Sequence, residues 1–463
     1  MILNRSISGM KHTGGEIMTK AIQPKEISQA LAGLTLFRGI KSDPVLECYT
    51  GIIKAYLADE DLLDEYHRLV MLLLDKATSS NLPQVGDLWQ DYILDLLLLD
   101  NNLFCREAAI PKDISQPIRE ACIHDLSRLQ IICQQGLEVI NSIFETLPHF
   151  KLAGLRSNET NLDEGILQQY SPIKSLKLTL LNSNNWTGNI GELVSFYRCN
   201  GFAQFALYRA FRWEEISSSF ELVGIEKPDP ITLEQLFSYE RQRGQVLDNT
   251  ERLLRGLPAQ NLILYGDRGT GKSSTVKALV NRYGGQGLRL VQMSRDSIHG
   301  LQRAMTYLGK IPLKFIIFID DLSFEENETH YKILKTQMEG SIEQQPANIR
   351  IYVTSNQRNL IKEYFTDRKN TLNSNGDVHP GDTMQEKLSL ADRFGLKITF
   401  IAPDQANFLA IVREMADLEK LQVDQETLEK LALKWTLWHN ERSGRTARQF
   451  IDHLKGRKNL NFI

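Results

Sequence analysis

Apolar residues recur every three or four positions through most of the first half of the chain. In the second half they gather into short unbroken runs. Leu62, Leu63, Tyr66, Val70 and Leu73 mark one helical face, and Leu126, Leu129, Ile132 and Leu137 another. This spacing predicts helices from Ile27 to Phe211, with polar loops at 78–81 and 156–163. The run from Tyr92 to Leu99 is strongly apolar, but Asp95 cuts it and Asp100 closes it. It is far short of the ~20 residues a membrane span needs, so it reads as a core helix and no membrane partner is expected. Lys227-Pro228-Asp229-Pro230 breaks the pattern, because each proline restricts its predecessor and cannot continue a helix.

Beyond that break, residues 231–254 read as a helix. Apolar strands at 261–265, 288–293, 315–319, 349–354 and 397–401 then alternate with helices at 273–283, 298–308 and 331–341. Such alternation predicts an α/β fold, a parallel sheet covered on both faces by helices. After Pro403 the pattern is helical again, at 405–418, 425–439 and 446–454.

Length and composition change this picture little. The chain has 463 residues, 42% of them hydrophobic and 24% charged, which suits two or three ordinary globular domains. Net charge is −3, but unevenly spread: 25 Lys and Arg face 33 acids before Gly256, and 29 face 24 from there on. That mild excess suits a phosphate site better than a nucleic-acid surface. The five cysteines, Cys48, Cys105, Cys122, Cys133 and Cys199, form no C-x-x-C pair. Free buried thiols in a reducing compartment are expected, and with them a cytoplasmic location. Phe196 to Trp213 is aromatic and basic, which is either a stacking surface for single-stranded nucleic acid or the buried side of a packed helix.

The chemistry is concentrated in Gly266-Asp267-Arg268-Gly269-Thr270-Gly271-Lys272-Ser273-Ser274. At ordinary residue frequencies its G-x-x-x-x-G-K-[ST] pattern arises by chance in roughly one or two chains per hundred of this length. An apolar run precedes it and a helical pattern follows, as a phosphate-binding loop requires. Glycines let successive N–H groups point at phosphate oxygens, and the helix N-terminus adds to that field. Lys272 is expected to bridge the β- and γ-phosphates of ATP, and Ser273 to ligate Mg2+.

The strand 315–319 ends in Asp320-Asp321, and two carboxylates after five apolar residues demand a nearby cation. Asp320 is the expected Mg2+ partner and Asp321 the group that polarises attacking water. Asn356 follows the strand 349–354 and either orients that water or makes an ordinary turn. Arg393 either neutralises charge on a γ-phosphate or pairs with Asp392. Arg445 opens a late helix and can reach the nucleotide, with Arg448 one turn later as its competitor. Ile231, Phe237 and Tyr239 precede the first strand and are candidates to contact the base. The polar insertion 367–387, with His379-Pro-Gly-Asp382, is either a contact element or a solvent-exposed turn.

In this order the motifs resemble the AAA+ ATPases, closest in the arginine box to the initiator and helicase-loader branch. More narrowly, several stretches are similar to a bacterial family catalogued as domain of unknown function 815. They include Asp87-Leu-Trp-Gln-Asp-Tyr, Leu264-Tyr-Gly-Asp-Arg-Gly-Thr-Gly-Lys-Ser, Asp320-Asp-Leu-Ser-Phe-Glu, His379-Pro-Gly-Asp-Thr, Leu388-Ser-Leu-Ala-Asp-Arg-Phe-Gly-Leu and Ser443-Gly-Arg-Thr-Ala-Arg-Gln-Phe. The likeness runs from about residue 40 to 460. The polar, glycine-containing start and the helical periodicity set a disordered leader over 1–25 and an all-α N-terminal domain over 26–225; the likeness implies a P-loop AAA+ core over 231–402 and a helical lid over 403–463. It also implies a homo-oligomer: Asn356 becomes a sensor, Arg393 a finger acting on a neighbour's nucleotide, and Arg445 the lid sensor.

The Walker B strand departs from that pattern. AAA+ hydrolases place Asp-Glu there, and Asp321 is one methylene shorter, with Glu325 or Glu326 as substitutes. Two functions follow as expectations: an ATPase that remodels a protein or nucleoprotein partner, or a nucleotide-gated adaptor with little hydrolysis. A DNA-associated loader ranks third, since no DNA-reading helix is recognisable.

Overall fold

A computed structural model describes residues 23–144, 164–322, 345–356 and 393–459, apart from positions 61, 218 and 440, together with residue 334. The insertion 367–387, Glu325 and Glu326, and most of the helix expected at 331–341 lie outside the described residues.

The first half folds as the periodicity predicts. Its helices are α1 (Pro24–Ala32), α2 (Pro44–Ala58), α3 (Leu63–Ser79), α4 (Leu88–Leu98), α5 (Leu103–Ala108), α6 (Gln116–Ile143), α7 (Glu164–Leu181), α8 (Ile190–Asn200) and the single turn α9 (Gln204–Leu207). Tyr66, Val70 and Leu73 on α3 and Leu126, Leu129 and Ile132 on α6 turn into one core. The apolar run at Tyr92 is α4, buried among its neighbours. Its Asp95 lies 2.7 Å from the fully buried Lys177 of α7, which explains how an acid survives there. No described helix is long and apolar enough to cross a membrane. Cys48, Cys105, Cys122 and Cys133 are buried free thiols, and Cys199 is exposed.

The aromatic stretch departs from the helical reading. After α9 the chain forms the hairpin β1 (Ala210–Ile216) and β2 (Ser219–Gly224). Phe211 and Trp213 are buried while Arg212 between them is exposed, a period of two that fits a strand and not a helix. Trp213 stacks on Phe220 at 5.8 Å, and Phe196, Tyr197, Phe202 and Phe205 are also interior. These buried rings form no stacking surface for nucleic acid. The sheet therefore recruits residues from before the Lys227–Pro230 break.

The predicted helix 231–254 is also interrupted. A 3-10 turn at Leu233–Gln235 is followed by α10 (Glu240–Leu254), and Ser238 and Tyr239 between them take positive φ values of 61° and 62°. The kink turns Tyr239 so that its hydroxyl donates to the Ile401 carbonyl at 2.7 Å.

The remaining elements follow the predicted alternation within one residue, save that a 3-10 turn at Ile298–Gly300 delays one helix by three: β3 (Leu262–Gly266), α11 (Lys272–Tyr283), β4 (Leu288–Met293), α12 (Leu301–Leu308), β5 (Lys314–Ile319), β6 (Ile349–Ser355) and β7 (Leu396–Phe400). The strand order is β2-β1-β4-β5-β6-β3-β7, parallel except for the β1–β2 hairpin. Phe315, Ile317 and Ile319 of β5 enter the core on one face, and Ile316 and Phe318 the core on the other. This two-sided burial is why the strand reads as an unbroken apolar run. A separate core joins α13 (Gln405–Leu418), α14 (Gln425–His439) and α15 (Gly444–Asn459). The α/β fold class with a P-loop core is thus present.

Arg289 of β4, fully buried, ties the two halves together. It donates to the carbonyls of Asn200 and Phe205 from the helical half and of Gly284 just past α11.

Candidate functional site

Most of the residues singled out for chemistry meet at the C-terminal end of the sheet, around a cleft of about 880 Å3. β3 runs into the glycine loop because Gly266 tolerates what other residues would not. It has φ 128°, and a Cβ there would stand 2.0 Å from the Phe400 carbonyl of the neighbouring strand. Gly269, at φ 71°, brings the loop so close to the C-terminal helices that a Cβ would stand 2.5 Å from Ser443 Oγ. Arg268, Gly269, Thr270, Gly271, Lys272, Ser273 and Ser274 all line the cleft. Asp267 does not: its carboxylate accepts from the Ala402 N–H at 2.6 Å, so it braces the loop against the end of β7.

Lys272 is 5% exposed and donates to the carbonyls of Gly266 at 3.0 Å and Asp267 at 2.6 Å. Burial pushes its ammonium down to about 8, although Asp267, Asp321 and Asp320 pull the other way. Ser273 Oγ donates to Asp320 Oδ1 at 2.6 Å, which joins the helix start of α11 to the end of β5. Thr354 Oγ1 on β6 donates to the same oxygen at 2.5 Å and accepts from the Asp321 N–H at 2.8 Å. Among the described residues there is no cluster of three His, Cys, Asp or Glu side chains. A metal here would depend on the Ser273–Asp320 pair and on the phosphates themselves.

Asp321 has φ 54°, a left-handed conformation that Asp tolerates better than most residues. Asn356 Nδ2 donates to its Oδ1, and Arg295, just past β4, pairs with its Oδ2 at 3.1 Å and also reaches its carbonyl oxygen. The acid expected to polarise water is therefore held between a neutral amide and a cation.

Arg445 lines the cleft, and its backbone N–H donates to the Gly269 carbonyl at 3.2 Å. Arg448 also lines it, but is engaged by Glu419 at 3.0 Å and Asp452 at 3.2 Å. Ile231, Phe237 and Tyr239 form part of the wall, with Ile411 and Met415 of α13 on the same cleft. That apolar patch suits a planar ring. Arg393 is exposed and is not among the residues lining this cleft.

Sequence reasoning missed Thr354 and Arg295. Thr354 was legible only as the last residue of a strand, and Arg295 carried no signal, since its role arises from β4 and β5 lying side by side.

A family model described as protein of unknown function (DUF815) matches residues 206–458. This is narrower than the span of 40–460 read from the sequence, and leaves Asp87-Leu-Trp-Gln-Asp-Tyr outside it. No curated protein matches the chain. Among solved structures, two variants of Thermotoga maritima RuvB align at 15% and 16% identity, each with a TM-score of 0.34. They cover 50% of this chain and 66% and 67% of their own. RuvB of the same organism, titled as a Holliday junction branch migration motor, aligns at 12% with a TM-score of 0.29, over 49% of this chain and 72% of its own. The chain spans 66% of the length of the first of these.

Proposed function

The chain belongs to the family of proteins of unknown function DUF815, and from that premise we propose that it is an AAA+ ATPase, binding ATP and hydrolysing it to remodel a protein or nucleoprotein partner. One observation carries the proposal: the loop from Gly266 to Ser273 opens on a cleft where Ser273 Oγ already touches Asp320. In that cleft the start of α11 presents N–H groups and a helix dipole to phosphate oxygens. Lys272, now bound to carbonyl oxygens of its own loop, is the cation the phosphates recruit. Mg2+ fits the hydroxyl–carboxylate pair of Ser273 and Asp320, and when bound it supplies neutralisation of phosphate charge. Asp321 and Asn356 lie on the same side, where Asp321 accepts a proton from water and Asn356 orients that water. Ile231, Phe237 and Tyr239 hold the base.

A second reading, a nucleotide-gated adaptor that hardly hydrolyses ATP, is favoured by the engagement of Asp321 with Arg295 and Asn356. Binding of a fluorescent ATP analogue and release of phosphate by the purified full chain test both. Lys272→Ala is expected to abolish binding and Asp321→Asn to abolish turnover while sparing binding. Wild-type turnover at the uncatalysed rate, with intact binding, leaves the adaptor. Unimpaired binding by Lys272→Ala overturns the site itself.

A further inference from the structure

A second concavity, of about 1010 Å3, lies at the opposite end of the sheet from the glycine loop. It forms where α5 and the segment after it face the turns that lead into β4, β5 and β6. Among the described residues nothing covers its apolar surface: Leu103 is 61% exposed, Tyr307 42% and Ile110 36%, with Pro111, Pro312 and Pro346 beside them. Scattered apolar residues need no explanation, but a groove of them does.

Its charge is one-sided in a molecule whose net charge is negative. Arg106, Lys112, Arg198, Lys310 and Lys314 line it against one carboxylate, Glu107. Glu107 is already engaged by Lys112 at 3.7 Å and by Ser115 Oγ at 2.9 Å. Arg106 donates to the neutral Asn101 side chain at 2.8 Å, and Arg198 to the Lys112 carbonyl at 3.1 Å. Lys310 and Lys314 have no ion pair among the described residues. Burial, with Arg350 close by, pushes the Lys314 ammonium below its ordinary range, as expected where positive charge is left uncompensated.

We propose that this groove docks an acidic, apolar peptide segment of a partner protein. The apolar surface takes aliphatic side chains, and the cations around it take carboxylates. Tyr307 is the one exposed aromatic ring lining it among the described residues, which is poor provision for stacking bases. The groove also bears on the other site through one element. β5 begins at Lys314 in the groove and ends at Ile319, next to Asp320.

The test is fluorescence anisotropy of a labelled peptide of alternating Glu and Leu, titrated with the full chain at low and high salt. The peptide is expected to bind, to weaken with salt, and to lose at least about tenfold in affinity with Lys310→Glu/Lys314→Glu. Leu103→Asp is expected to weaken it as well, and a Lys–Leu peptide is expected not to bind. Leu103 and Lys310 are exposed and Lys314 is half-buried, and unchanged circular dichroism and melting check that the variants fold. The proposal is overturned if the wild type does not bind the peptide, or if charge reversal leaves its affinity unchanged. It is equally overturned if a single-stranded oligonucleotide binds as tightly and is lost with the same variants, which assigns the groove to nucleic acid.

Discussion

Lys272 shows how a single buried cation shapes a site. Its ammonium is nine-tenths hidden, and burial outweighs the pull of three nearby carboxylates, leaving it at about 8. In the empty site its charge is complete well below pH 8 and is lost as pH rises through that value. Phosphate binding favours the charged form, so nucleotide affinity is expected to fall above pH 8. Around pH 9 binding is expected to take up protons, measurable by titration calorimetry in buffers of different ionisation enthalpy. Asp321 is held differently, by Arg295 at 3.1 Å and by Asn356, and remains half-exposed. An ion pair this open is worth about 1 kcal/mol at most, so it restrains the carboxylate without fixing it. Arg295→Ala is expected to raise basal phosphate release by up to about fivefold. A decrease would instead make Arg295 a stabiliser of the reacting phosphate.

At the scale of elements, the site is made where ends meet. β5 delivers Asp320, the start of α11 delivers Ser273, and the last side chains of β6 deliver Thr354, all joined through one carboxylate oxygen. The start of α15 lies over the glycine loop, with the Arg445 N–H on the Gly269 carbonyl. Arg448 is occupied by Glu419 and Asp452, which makes Arg445 the better candidate for the proposed contact with ATP. Arg445→Ala is accordingly expected to weaken ATP binding by about tenfold, the cost of one charge-assisted contact. Arg448→Ala is expected to lower the melting temperature with little effect on affinity, by the same binding and melting measurements.

For the whole molecule, Arg393 is exposed and does not line its own cleft, and the expectation that it acts on the nucleotide of a second copy can be tested directly. Arg393→Ala is expected to lose about a thousandfold in turnover while binding ATP normally. Mixed with Lys272→Ala, it is expected to recover activity, since each variant supplies what the other lacks; no recovery in the mixture would place Arg393 outside the reaction. The helical half is attached through Arg289, whose guanidinium gathers carbonyls from both halves in the interior. The cleft at the glycine loop and the basic groove lie at opposite ends of one sheet.

The strand–loop–helix around Gly266 to Ser273 was legible because backbone chemistry demands those residues locally. The runs at β3, β5 and β6 were legible because a strand buried on both faces must be apolar throughout. The hairpin at Phe211 was not, since buried aromatic residues two apart and three apart look alike until the partners are known. Nor was the kink at Tyr239, which depends on a carbonyl 162 residues away. The sequence by itself determined the glycine loop between strand and helix and the class of fold. Tertiary structure alone decided that Thr354 and Arg295 join Asp320 and Asp321, that the Asp267 carboxylate accepts from the Ala402 N–H, and that the Arg445 N–H meets the Gly269 carbonyl while Arg448 pairs with Glu419 and Asp452. Those assignments depend on which strand ends lie side by side, and strand order is not written in any local pattern.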